Sequence, residues 1–177
     1  MAHFDFESLI ADIPDYPEKG VVFKDITPLL ADKTGFSEVV NSIAEHYAQA
    51  GITKVVGAEA RGFMIGAPVA HALGAGFVPA RKPGKLPRET MNETFELEYG
   101  TDELQIHLDA LTPDDVVLIV DDLVATGGTA LAQVHLIERM GARLAGMGFL
   151  MELAFLNPRD FIAKETDIEV FSLVQVH

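Results

Sequence analysis

Residues 116–132 read VVLIVDDLVATGGTALA, and this stretch decides the fold. Val116, Val117, Leu118, Ile119 and Val120 form an apolar, mostly β-branched run, which predicts a strand buried on both faces, as in a parallel sheet covered by helices. The run ends on two carboxylates, Asp121 and Asp122. Ala125, Thr126, Gly127, Gly128 and Thr129 then make a short turn, after which Leu131, Val134, Leu136, Ile137 and Met140 give the broad apolar stripe of a helix.

A turn of this kind presents backbone N–H groups, two hydroxyls and the positive end of a helix dipole to one point, which suits a phosphate monoester. Gly127 and Gly128 let the backbone come close. The paired acids would repel a phosphate, but at a strand's carboxyl end they suit the vicinal hydroxyls of a sugar. Diol and phosphate together point to a ribose 5-phosphate. No Gly-Lys-Ser/Thr follows the turn and there is no GxGxxG, so neither a Walker loop nor a dinucleotide fingerprint is present.

The chain has 177 residues and is 49% hydrophobic, enough for one domain with a real core, which predicts a single domain over residues 1–177. No apolar run reaches the roughly 20 residues that span a bilayer. The start, MAHFDFESLIADIPDY, carries acids where a signal peptide has a basic segment. These features predict a cytoplasmic protein without a membrane partner. The absence of Cys removes thiolate catalysis, disulfides and zinc-thiolate sites. The six His show no metal-ligand spacing. A net charge of −14 makes the surface a poor nucleic-acid platform. Against that background Arg81, Lys82, Lys85 and Arg88 cluster within eight residues and mark a local anion site.

In chain order, residues 1–32 are punctuated by Pro14, Pro17 and Pro28 and predict a short amphipathic helix over about 4–13 and an extended piece at 20–24, an arm laid over the domain. A helix begins near Thr34 and stops at Gly51. A short strand at 54–57 leads through Ala58-Glu59-Ala60-Arg61-Gly62 into another helix. Arg61 at a helix N-terminus is unfavourable for the dipole unless an anion sits there. A strand at 77–80 precedes a turn-rich segment, 81–95, expected to be a long mobile loop of functional character. Residues 95–99 and 104–108 predict a hairpin turning at Gly100-Thr101, and strands follow at 144–151 and 168–174. Strands alternating with helices predict an α/β sheet, mainly parallel, with ligands outside the strands' carboxyl ends.

The stretch VVLIVDDLVATGGTA resembles the 5-phosphoribosyl-1-diphosphate (PRPP) signature of the type I phosphoribosyltransferases. Nearly the whole chain resembles the adenine-specific branch of that family, through Phe23-Lys24-Asp25-Ile26-Thr27-Pro28, Glu59-Ala60-Arg61-Gly62-Phe63, Arg81-Lys82-Pro83-Gly84-Lys85-Leu86-Pro87 and Leu97-Glu98-Tyr99-Gly100. The resemblance implies the type I phosphoribosyltransferase fold, with residues 1–32 as a hood over the base and 82–107 as a flexible catalytic loop and hairpin. It implies a purine-salvage enzyme that makes AMP and diphosphate from PRPP and adenine.

The same resemblance distributes the roles. Asp121, Asp122, Ala125, Thr126, Gly127, Gly128 and Thr129 would bind the ribose and its phosphate. Glu59, Ala60, Arg61, Arg81, Lys82 and Lys85 would bind the diphosphate, with a cis peptide at Glu59–Ala60. Val22, Phe23, Lys24 and Leu153 would border the adenine, although the family often carries Arg where this chain has Lys24. Glu98, Tyr99 and Arg61 would be catalytic. Mg²⁺ would arrive on PRPP rather than in a protein cage, and the protein would be a homodimer. Two other readings stay open at this point: a PRPP-sensing regulator, which the acidic charge disfavours, and an enzyme of this fold acting on hypoxanthine, guanine or xanthine.

Overall fold

The computed structural model describes residues 4–96 and 100–177. Nine strands and five helices follow one another: β1 (Ala11–Pro14), β2 (Val22–Asp25), α1 (Thr27–Ala31), α2 (Lys33–His46), β3 (Lys54–Ala58), α3 (Arg61–Leu73), β4 (Gly76–Ala80), β5 (Thr90–Glu96), β6 (Thr101–His107), β7 (Val116–Val124), α4 (Gly128–Arg139), β8 (Arg143–Leu153), α5 (Pro158–Ile162) and β9 (Val170–Val176). Five of these strands form one sheet in the order β4-β3-β7-β8-β9, every neighbouring pair parallel. Two antiparallel pairs stand apart from it, β1 with β2 and β5 with β6.

The central strand β7 explains why residues 116–120 show no polar alternation. Val117 and Ile119 belong to a core layer that includes Leu131, Val134 and Ile137 of α4, whereas Leu118 and Val120 belong to the opposite layer with Val39 and Ile43 of α2 and Ile65 and Val69 of α3. All four β7 side chains are fully buried, so each face of the strand needs an apolar residue. Strand β4 lies at the sheet edge and carries Pro79 opposite Gly57. An edge is where a strand tolerates a residue without an N–H.

The structure corrects two sequence expectations. Residues 4–13 do not form a helix: Glu7–Leu9 is a single 3₁₀ turn, and Ala11–Pro14 pairs with Val22–Asp25 in the register Ala11↔Asp25 to Pro14↔Val22. Long-range pairing outweighs a weak helical spacing that Pro14 cuts short. The expected loop over 81–95 is shorter than predicted, because strand begins at Thr90 and runs Thr90↔His107 to Glu96↔Thr101 against β6. Met91 and Phe95 pack against the core layer that contains α4. Between them on the same face lies Glu93, which obscures the alternation in the sequence; its carboxylate is engaged by His135 and Arg139 of α4. The short helices α1 and α5 had no predicted counterpart.

Tyr47, just after α2, locks that helix to the sheet. Its hydroxyl donates to the Met147 carbonyl at 3.0 Å, and burial holds the phenol well above its ordinary pKa. The ring occupies the space over Gly146, where an added Cβ would lie 2.3 Å from Tyr47 Cε1. Gly146→Ala should therefore destabilise the protein by about 1–3 kcal/mol, as overpacking does. Denaturant unfolding at constant slope measures this, and an unchanged midpoint would show that the ring moves aside freely.

Candidate active site

At the carboxyl ends of β3 and β7 a cavity of about 260 Å³ opens between the turn after β3 and the turn before α4. Asp121 and Asp122 line it, 8% and 5% exposed. The turn Ala125 to Thr129 forms one wall, and Glu59, Ala60 and Arg61 form another, with Lys82 beside them. Gly127 precedes α4 with φ of +99°, a conformation that favours glycine. Among the described residues no side chain caps α4, in contrast to α2, where Asp32 accepts from the Gly35 N–H at 2.7 Å. The first-turn N–H groups of α4 are thus available to an anion at the cavity wall.

The acid pair is held by its surroundings. Burial pushes the Asp121 carboxyl well above its usual pKa, and the neighbouring Asp122 carboxylate adds to the effect. Asp121 Oδ1 accepts the Asp122 N–H at 2.9 Å. A Cβ on Gly62 would lie 2.6 Å from Asp121 Oδ1, so the first turn of α3 approaches the acids as closely as only a glycine allows. Arg61 Nε stands 3.0 Å from Asp122 Oδ2, an ion pair without the angles of a hydrogen bond. The Arg61 guanidinium also lies 5.5 Å from the centre of the Phe23 ring. In this state the cation expected at a diphosphate is turned onto the acid pair.

Glu59 organises the basic cluster. Its carboxylate accepts from Arg81 Nε at 2.7 Å and from the Lys82 backbone N–H at 2.9 Å. Burial would raise its pKa, but these donors outweigh burial and hold it below the ordinary carboxylate range. The Glu59–Ala60 peptide is cis, as the resemblance implied. Lys82 Nζ pairs with Asp102 of β6, and Arg81 NH1 donates to the Lys85 carbonyl at 3.3 Å. Strand pairing continues across Arg81↔Gln105, which ties the basic cluster to the hairpin.

The cavity wall therefore includes Glu59, Ala60, Arg61, Lys82, Asp121, Asp122 and the whole turn 125–129 of the predicted set. Arg81 and Lys85 reach it only through Glu59 and Lys82. Val22 is 52% exposed on the hood, and Lys24 pairs with Asp12 at 2.6 Å beside a second cavity that also touches Met151 and Val174. Leu153 ends β8 opposite Val176 and does not line the first cavity. Glu98 and Tyr99 lie outside the described residues. Sequence reasoning missed Leu123 and Gln133, both on the cavity wall, and Asp102. Leu123, three residues from Val120, was hidden within a strand longer than its apolar run; Gln133 and Asp102 carry no motif.

Among the described residues no group of three or more His, Asp or Glu is placed to hold a metal ion. The two hard carboxylates lining the cavity fit a cation that brings its other oxygen ligands with it.

A model of the phosphoribosyl transferase domain matches residues 29–173, which defines the class to which this fold and cavity belong. The adenine phosphoribosyltransferase of Yersinia pestis (strain Pestoides F) is 53% identical over 93% of this chain and 88% of its own length. The crystal structure of adenine phosphoribosyltransferase from Thermoanaerobacter pseudethanolicus superposes with a TM-score of 0.91 at 46% identity, covering 96% of this chain and 97% of that one. The Giardia lamblia enzyme, complexed with 9-deazaadenine, gives a TM-score of 0.92 at 39% identity over 100% of this chain and 99% of that one. The chain belongs to the adenine phosphoribosyltransferase family.

The hairpin is pinned onto α4 by charge. His135 Nδ1 stands 2.9 Å from Glu93 on β5 and its Nε2 2.8 Å from Glu165, while Arg139 contacts Glu93 at 2.9 Å and donates to the Asn92 carbonyl at 2.8 Å. Burial lowers the His135 pKa, but the two glutamates outweigh it and raise it above 6.5. The stabilising contribution is fully present below the unfolded value and is lost as pH rises through the folded one. The melting temperature of the wild type relative to His135→Gln should therefore fall as pH rises past 6.5, the ordinary value of the imidazole. A pH-independent difference, read by thermal unfolding at constant salt, would show that the contact acts without its charge.

Proposed function

We propose that this protein transfers the 5-phosphoribosyl group from PRPP to adenine, giving AMP and diphosphate in purine salvage. The observation that carries the reading is the convergence on one cavity of a buried acid pair, an uncapped glycine turn and the cations Arg61 and Lys82. The first-turn N–H groups of α4 and the hydroxyls of Thr126 and Thr129 take the 5-phosphate. Asp121 and Asp122 take the ribose hydroxyls. Arg61 exchanges its contact with Asp122 for the diphosphate, joined by Lys82 and by Arg81 and Lys85, which Glu59 helps to orient.

Breaking the bond from C1′ to the diphosphate leaves positive charge on the sugar and negative charge on the leaving group. The acid pair lies on the sugar side and the cations on the diphosphate side, so the cavity opposes each developing charge with a fixed one. Asp121 and Asp122 are the residues that would face a Mg²⁺ carried by PRPP, which would neutralise charge on the diphosphate. Phe23, Val22, Lys24 and Leu153 border the base in this reading, with the hood over residues 1–32 closing the site. Glu98, with Tyr99, handles the proton of adenine N9 when the segment 82–107 closes and excludes water. A homodimer, a cytoplasmic setting and a single domain over residues 1–177 belong to the same reading and rest on the family.

Incubation with PRPP, Mg²⁺ and each purine base in turn, with diphosphate release as readout, tests the reading. Release is expected with adenine, and release with hypoxanthine, guanine or xanthine instead would reassign the base. Asp122→Asn should lower kcat/KM for PRPP by about 10²-fold or more while leaving the melting temperature close to wild type, because it removes a charge near the cationic transition state. Wild-type efficiency in that variant would remove the acid pair from the chemistry.

The loop acids separate catalysis from binding. Glu98→Gln should lower kcat with little change in the PRPP dissociation constant, as expected of a group engaged only in the closed state, whereas Glu96→Gln should change neither. A large loss confined to Glu96→Gln would transfer the role to that residue.

A further inference from the structure

Gln133 lies on α4 one turn after Thr129, and Cα–Cβ bonds tilted toward a helix's N-terminus bring such a side chain back toward the preceding turn, here the phosphate turn. It is fully buried, at 0% exposure, and lines the cavity beside Leu104, Ala130 and Phe149. Its Nε2 donates to the Thr129 carbonyl over a long 3.4 Å. Among the described residues no group donates to its Oε1. Reversing the amide would set Oε1 against the Thr129 carbonyl, two acceptors face to face, so the oxygen is the amide atom left without a partner. Among the described residues only two other buried side-chain atoms lack a hydrogen bond, His107 Nε2 and Asp122 Oδ2, and the latter belongs to this same cavity.

An unpaired amide oxygen among apolar side chains is costly, and a buried polar group in that condition calls for a partner outside the protein. An amide oxygen and a phosphate oxygen are both acceptors and cannot bond directly. A water molecule can donate one hydrogen to each. We infer that Gln133 is a positioning residue of the 5-phosphate subsite, its Oε1 holding a water that donates to a phosphate oxygen of the bound substrate. The inference rests on the PRPP reading above. It adds to the phosphate turn a side chain that holds the phosphate from within the helix, while the diphosphate end of the cavity is left unaffected.

Gln133→Leu keeps the approximate size and removes both polar atoms. Calorimetric titration with Mg²⁺-PRPP should show a dissociation constant raised about three- to tenfold, the scale of one water-mediated contact, while titration with Mg²⁺-diphosphate gives the wild-type value. KM for PRPP should rise with kcat unchanged. The melting temperature of the unliganded variant should equal or exceed that of the wild type, because an unpaired amide has been removed. Gln133→Glu, which adds a carboxylate near the phosphate, should weaken PRPP by more than tenfold and again spare diphosphate; it tests the proposal even where the leucine variant does not fold. Wild-type PRPP affinity in both variants would overturn the inference, as would an equal loss for PRPP and diphosphate. Failure of the wild type itself to bind PRPP would instead overturn the functional reading.

Discussion

Two adjacent carboxylates, Asp121 and Asp122, are buried side by side at the end of the central strand, and the neighbouring elements are shaped by the need to keep them there. Desolvation and mutual repulsion both oppose such a pair. The structure answers with a backbone N–H on Asp121, a guanidinium on Asp122 and a glycine at the start of α3 that leaves the acids room. The N–H belongs to the pair itself and the other two come from consecutive residues, Arg61 and Gly62, so the acids fix the end of β7 to the turn after β3 and the start of α3.

Much of this was legible in residues 116–132, because a strand buried on both faces needs an apolar residue at every position and a tight turn into a helix needs glycine. The parallel sheet, the glycine turn before α4 and the basic cluster near Arg81 followed from such local requirements. What was not legible depends on contacts between distant residues. The pairing of Ala11–Pro14 with Val22–Asp25 is set by register across a turn rather than by spacing, and β5 hides its alternation because Glu93, on the packed face, is matched by His135 and Arg139 some forty residues away. Glu59 looked like one more ligand in a diphosphate loop. Its carboxylate is turned instead to Arg81 and Lys82, a role that only the fold reveals.

A second buried carboxylate shows the same logic without a cavity. Glu152, 3% exposed at the end of β8, accepts from Arg159 of α5 and from Ser172 of β9. Burial raises its pKa, yet these donors prevail and hold it below the usual range. Arg159 NH1 also donates to the Val170 carbonyl at 2.6 Å. This closed network fastens α5 to the sheet, and Phe161 and Ile162 of α5 lie within 3.0 and 3.1 Å of the position a Cβ on Gly127 would take. The glycine before α4 is thus backed by a helix that a paired acid holds in place.

Pro79 on β4 has a bearing on self-association. An edge strand offers a row of free N–H and C=O groups to any passing strand, and a second copy of the same chain is the passing strand a concentrated solution supplies most often. Here the edge is five residues long, and one of them has no hydrogen to give. A sheet cannot readily be continued across that gap, so copies of this molecule that meet must do so through side chains rather than by joining their backbones along β4.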